Sequence, residues 1–133
     1  STIIDGQFIT KGICCDPGDN PGIFINATGG LTLGNNVNIG PNSVIVTSNH
    51  DKYDHRNVTD IKGVAIGNNV WIGANCTIVA GATIGDEVTI GAGCVISGNI
   101  PSKSTVFMNN NIVLNIKPKS LDYQWDCTKE ELL

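Results

Sequence analysis

From Ile66 the sequence divides into consecutive sixes, IGNNVW, IGANCT, IVAGAT, IGDEVT, IGAGCV and ISGNIP, each opened by isoleucine. An earlier run, LGNNVN, IGPNSV and IVTSNH, opens at Leu33, Ile39 and Ile45. No α-helix can use this rhythm. At about 100° per residue six steps advance about 600°, and successive isoleucines scatter around the cylinder. A strand can use it, because six is a multiple of two and side-chain alternation survives.

Each hexad position has a physical task. The leading Ile or Leu suits an interior layer, and the fifth residue is small or apolar: Val37, Ser43, Val70, Cys76, Ala82, Val88 and Cys94. Between them stand Gly, Asn, Asp or Ala, which tolerate the tight or positive-φ backbone of a corner. One hexad is therefore a short strand plus a turn, and three hexads close a triangular coil. Coils stacked at about 4.8 Å pair their backbone groups everywhere except at the two ends. Residues eighteen apart then lie above one another, Cys76 over Cys94 and Ala74 over Ala92. The period leaves the hand of the coil open, and the general rule for parallel crossovers is right-handed.

The chain has 133 residues, a single domain's length, and a formal net charge of -4. That balance excludes a basic footprint for nucleic acid or for an anionic membrane surface. No apolar run approaches a membrane span, and the N-terminus lacks the layout of a signal peptide, so the chain reads as cytoplasmic. It opens at Ser1 without a methionine, which leaves room for a removed or omitted leader. Five cysteines, Cys14, Cys15, Cys76, Cys94 and Cys127, form an odd set with no C-x-x-C. Free thiols are expected, with Cys76 and Cys94 as small core residues.

The expected organisation is irregular first coils over residues 1–30, regular coils over 31–101 and a C-terminal cap over 102–133. CDPGDNPG marks a loop near the start. STVF and NIVLNI read as extended strands, and Thr128 with Glu131 has the capping-box pattern of a short terminal helix. One interruption matters more. The step from Ile45 to Ile66 is not a multiple of six, so a polar loop at about 51–65 must be extruded. Both histidines, His50 and His55, lie at its base.

IGNNVWIGANCTIVAGATIGDEVTIGAGCVI, preceded by VIVTSNHD and a loop, resembles the left-handed β-helix, hexapeptide-repeat acyltransferases. It is most similar to the galactoside- and maltose-type sugar O-acetyltransferases over about residues 20–101. The resemblance implies an all-β, left-handed parallel β-helix and an acetyl-CoA-dependent transfer of acetyl to a sugar hydroxyl. It gives His50 the role of general base, a role suited to imidazole with its pKa near 6.5. The thioester is already activated, so no enzyme nucleophile is required, only the base, positioning and N–H donors for the oxyanion.

By the same resemblance Asn20 contacts the acceptor, the neighbouring Asp16 and Asp19 are candidates to bind acceptor hydroxyls or to orient His50, and Trp71 walls the site. Ala74 and Ala92 offer backbone hydrogen bonds to the pantetheine arm, Ser97 continues towards the nucleotide, and Lys103, Lys117 and Lys119 are candidates for its phosphates. Asn20 is equally a turn former in GDNPG, and Trp71 equally a packing residue. MNNNIV, Met108 to Val113, departs from the family's G-N-P-A-K-V segment at the adenine end of CoA, and the helical N-terminal segment of many relatives is missing. A homotrimer with sites between protomers is expected, with no metal. N-acetylation of an amino sugar and acetylation of serine belong to the same reaction class. His50 and His55 also have the spacing of two ligands in γ-type carbonic anhydrases, but a third histidine is lacking. A non-catalytic scaffold would need the coil alone.

Overall fold

The computed structural model describes residues 1–50, 53, 58–60, 63–108 and 114–119. Strands of two to five residues stack into three sheets. The first contains Thr2–Ile4, Phe24–Asn26, Val44–Val46, Thr77–Ile78 and Val95–Ile96. Ile9–Lys11, Leu31–Leu33, Val64–Ile66, Thr83–Ile84 and Asn99–Ile100 form the second. The third holds Val37–Ile39, Val70–Ile72, Thr89–Ile90 and Ser104–Met108, parallel to one another, and ends in Leu114–Pro118, which runs antiparallel. The chain visits the three faces in turn, so they close a triangular prism.

Its interior is the hexad pattern in three dimensions. The leading residues Leu33, Ile39, Ile45, Ile66, Ile72, Ile78, Ile84, Ile90 and Ile96 are all buried, and so are the fifth residues from Val37 to Cys94. Each strand is too short to stand alone, and most of its stability comes from this shared apolar column, at about 1.5–3 kcal/mol per fully buried Ile. Burial also pushes the Cys76 and Cys94 thiols above their ordinary range, which keeps them protonated core groups. The fourth hexad residue makes the corner: Asn36, Asn42, Asn69, Asn75, Gly81, Glu87 and Gly93 all have φ between 55° and 88°. Asparagine and glycine occupy this left-handed region at low cost; Glu87 does not.

The structure adds detail to the repeat in three places. The extruded segment is displaced from 51–65: the chain leaves the coil after Thr47 and is back in it at Gly63, whose N–H donates to the Thr47 carbonyl oxygen at 3.1 Å. Val64 and Ala65 already pair with Leu31 and Thr32. Equivalent positions are eighteen residues apart above this point, Ile66 to Ile84, and thirty-three across it, Leu33 to Ile66, so the insertion is fifteen residues. Secondly, the first coil is out of phase. The 3-10 turn Gly6–Phe8 lengthens its corner, and Lys11, not Ile9, stands under Leu33 in the column of leading residues. Thirdly, the corner after Ile96 is two residues short, so Ile100 takes the place above Ile84. The helix expected at Thr128–Glu131 lies outside the described residues.

Candidate active site

The three edges of the prism differ in how they treat the same backbone group, the N–H of the third hexad residue. At the edge formed by residues 34–36, 67–69 and 85–87, a polar side chain from the coil above claims it. Asn35 N–H donates to Asn68 Oδ1 at 2.8 Å, Asn68 N–H to Asp86 Oδ1 at 2.7 Å and Asp86 N–H to Ser102 Oγ at 2.9 Å. Ile13 N–H begins the series on Asn35 Oδ1 at 3.0 Å. This edge is closed by its own side chains.

At the edge formed by residues 40–42, 73–75 and 91–93, the third residues are Pro41, Ala74 and Ala92. Proline has no N–H, and a methyl group above Ala74 accepts nothing. Among the described residues no hydrogen bond is made by the Ala74 or Ala92 N–H. The two lie one coil apart, since Gly93 N–H donates to the Ala74 carbonyl oxygen at 2.9 Å. Gly73 keeps the approach open: a Cβ there would sit 2.7 Å from the Ala92 nitrogen. The result is a row of outward donors flanked by small side chains, the arrangement an extended amide-bearing ligand requires.

The third edge carries the inserted segment. Asn49–His50 pairs antiparallel with Val58–Asp60, so His50 stands in the stem of a hairpin, exposed. Its base is fixed by Thr47, which is buried; Thr47 Oγ1 accepts from Gly29 N–H at 2.8 Å and donates to the Asn26 carbonyl oxygen at 2.8 Å. Nothing in the hexad pattern singles out Thr47; a hydroxyl at a position whose neighbours bury was the available signal.

The remaining candidates are dispersed. Asn20 lies at the alanine edge, beside Pro21, whose carbonyl oxygen accepts from Asn42 N–H, whereas Asp16 follows Cys15, which bridges to Val37 at the foot of the third face. Asn20 Nδ2 donates to the Ile39 carbonyl oxygen at 2.6 Å, tying its loop to the next coil, and Asp16 Oδ1 accepts from Gly18 N–H at 3.2 Å within its own turn. Asp19 is exposed there too. Trp71 points outward from the middle of the third face, 63% exposed, between Asn38 and Thr89. Core packing is therefore not its task. Ser97 is exposed on the hairpin edge, and Lys103 is exposed on the closed edge, its N–H donating to the Asp86 carbonyl oxygen. Lys119 Nζ donates to Thr89 Oγ1 at 2.8 Å and Thr105 Oγ1 at 3.3 Å, holding the last strand over the third face. Desolvation lowers its pKa, with Glu87 opposing. Lys117 is exposed on that strand, and His55 lies outside the described residues. Among the described residues no group of three or more His, Cys, Asp or Glu could hold a metal ion, and no helix is long and apolar enough to cross a membrane.

The family described as bacterial transferase hexapeptide (six repeats) matches residues 63–98. No curated protein matches the chain. Among solved structures, a hexapeptide-repeat-containing acetyltransferase of Vibrio cholerae O1 biovar eltor, complexed with acetyl coenzyme A, superposes with a TM-score of 0.72. It is 25% identical, over 90% of this chain and 65% of that one. A maltose O-acetyltransferase from Clostridium difficile 630 gives 0.61 and 27% identity, over 90% of this chain and 63% of that one. A galactoside acetyltransferase in complex with coenzyme A, 24% identical with a TM-score of 0.65 over 91% and 70% of the two chains, shares the fold. The chain thus spans a little under two thirds of the first two structures. Residues 63–98 thus match the hexapeptide-repeat model, and the chain has the left-handed parallel β-helix fold of these acetyltransferases.

Proposed function

We propose that the chain is an acetyl-CoA-dependent acetyltransferase that acetylates a hydroxyl of a sugar or polysaccharide precursor, with His50 as general base. The observation that carries this reading is the open row of Ala74 and Ala92 N–H groups beside a closed row on the next edge. A pantetheine arm has two amide carbonyls that can accept from such a row. The similar Vibrio structure holds acetyl coenzyme A, and the similar clostridial one is a maltose O-acetyltransferase.

His50 then takes the proton of the acceptor hydroxyl as its oxygen attacks the thioester carbonyl. The tetrahedral adduct collapses by breaking the C–S bond, and the imidazolium returns the proton to the departing thiolate. Base catalysis of this kind contributes roughly 10²- to 10⁴-fold.

In one chain His50 and the alanines occupy different edges, with the first face between them. The outward side chains of that face are the more apolar, Phe24, Val44, Val46, Val79 and the 57% exposed Val95 beside Thr2, Asn26 and Thr77, whereas the second face presents Thr10, Thr32, Ala65, Thr83 and Asn99 to solvent. A homotrimer that covers the apolar face and brings one protomer's His50 against another's Ala74, Ala92 and Trp71 fits both facts. Asp16 and Asn20 then border the acceptor, with Ser97 towards the nucleotide.

The test follows CoA thiol release with acetyl-CoA and a panel of sugar, amino-sugar and serine acceptors. His50→Ala should lower kcat by about 10²-fold or more without changing the melting temperature. A scaffold would release no thiol with any acceptor. Release at an undiminished rate in the variant would remove His50 from the chemistry.

A further inference from the structure

Thr47 breaks the rule of its own position. It is the third residue of the hexad opened by Ile45, and in every other hexad from Leu33 to Ile90 that residue is at least partly exposed. Thr47 is 0% exposed. Every polar atom it has is held by main chain. Its N–H and its Oγ1 donate to the Asn26 carbonyl oxygen at 3.1 and 2.8 Å, and Oγ1 accepts from Gly29 N–H at 2.8 Å. Its carbonyl oxygen accepts from Gly63 N–H at 3.1 Å. The junction is also tight. A Cβ at Gly29 would collide with the Thr47 carbonyl oxygen, and one at Gly63, where φ is 68°, would sit 2.9 Å from the carbonyl oxygens of Gly29 and Gly30.

This junction stands where the hairpin leaves the prism and returns to it. Asn49–His50 pairs with Val58–Asp60 in a separate two-stranded sheet, with an irregular register between Asn49 and His50. A two-stranded hairpin is marginal in water by itself, so whatever fixes its base sets the direction in which it projects. Here the base is held by Thr47 on the outgoing strand, three residues before His50, and by Gly63 on the returning one. A buried hydroxyl that both donates and accepts holds its geometry more sharply than an apolar side chain of the same shape. Turning it would leave the Gly29 N–H unpaired in a dry site.

We propose that Thr47 is a positioning residue: its buried hydroxyl locks the hairpin that carries His50 onto the Asn26–Gly29 corner, and so sets where the imidazole stands. The inference rests on the reading of His50 as general base. Thr47→Val keeps the shape and deletes the hydroxyl. In the full chain it should lower kcat about tenfold or more while the KM for acetyl-CoA stays within about twofold, because the alanine edge is untouched. Amide hydrogen exchange without substrates should quicken at Asn49, His50 and Val58–Asp60 and hold at Asn68 and Asp86. Thr47→Ser returns the hydroxyl and should recover most of both. Gly63→Ala loosens the same base from the other strand and should act as Thr47→Val does, whereas Asp86→Ala, destabilised away from the hairpin, should keep its kcat. Circular dichroism melting verifies that each variant is folded. Unaltered kcat or exchange in Thr47→Val or Gly63→Ala, a KM rise that accounts for the loss, no recovery in Thr47→Ser, or an equal loss in Asp86→Ala would overturn the inference while His50→Ala remains slow. An undiminished kcat in His50→Ala would remove the reading of His50 and the inference with it.

Discussion

The closed and open edges of the prism are built from one backbone geometry and differ in a single side-chain position. Asn68 and Asp86 stand on one edge where Ala74 and Ala92 stand on the other, and both pairs follow a glycine and precede a positive-φ corner. On the closed edge the third-residue N–H is internal structure. On the open edge the same group is an unspent donor. The contrast teaches that in a repeat fold a ligand track can be made by withholding a side chain, since the regular stack already supplies the donors at even spacing.

Exchanging the edges tests this most severely. Ala92→Asp places above Ala74 N–H the acceptor that Asp86 places above Asn68. We expect the KM for acetyl-CoA to rise on the order of 10- to 100-fold, because the donor is taken and a carboxylate obstructs the track. The melting temperature should not fall. Ala92→Pro is gentler, deleting only the N–H, and Pro41 shows that this corner accepts proline after glycine. A rise in KM of about 2- to 10-fold, with kcat unchanged, corresponds to one neutral hydrogen bond. In the opposite sense, Asp86→Ala on the closed edge should cost about 1 kcal/mol in urea unfolding and leave both kinetic constants alone. A kinetic effect there, or a stability effect of Ala92→Pro above that size, would blur the distinction between the edges.

Much of this architecture was legible because the hexad repeats the same physical demands. Ile66, Ile72, Ile78, Ile84, Ile90 and Ile96 announce the interior, and asparagines such as Asn69 and Asn75 announce the corners. Where the repeat stops, the legibility stops with it. Lys11, although exposed, falls in register with the leading residue Leu33 because a short 3-10 turn lengthens the corner before it, and no composition reveals a shift of two residues. The hairpin's limits were misplaced because they depend on Thr47 and Gly63 pinning its base, a contact between residues sixteen apart. At the site, Ala74 and Ala92 were identified through resemblance. Their physical distinction, an N–H that no neighbour claims, needs the stacked coil above to be seen. Asn20 and Asp16 show the reverse: residues singled out in sequence whose side chains the structure engages with backbone, Asn20 with Ile39 of the next coil and Asp16 with Gly18 of its own turn.

The account stands or falls on which edge meets the acyl donor. The direct measurement is the amide ¹H–¹⁵N spectrum of the full chain during titration with CoA, with the third-residue amides assigned. Ala74 and Ala92 should shift on binding while Asn68 and Asp86 stay in place. Shifts confined to Asn68 and Asp86, or saturation of CoA binding with Ala74 and Ala92 unmoved, would contradict it.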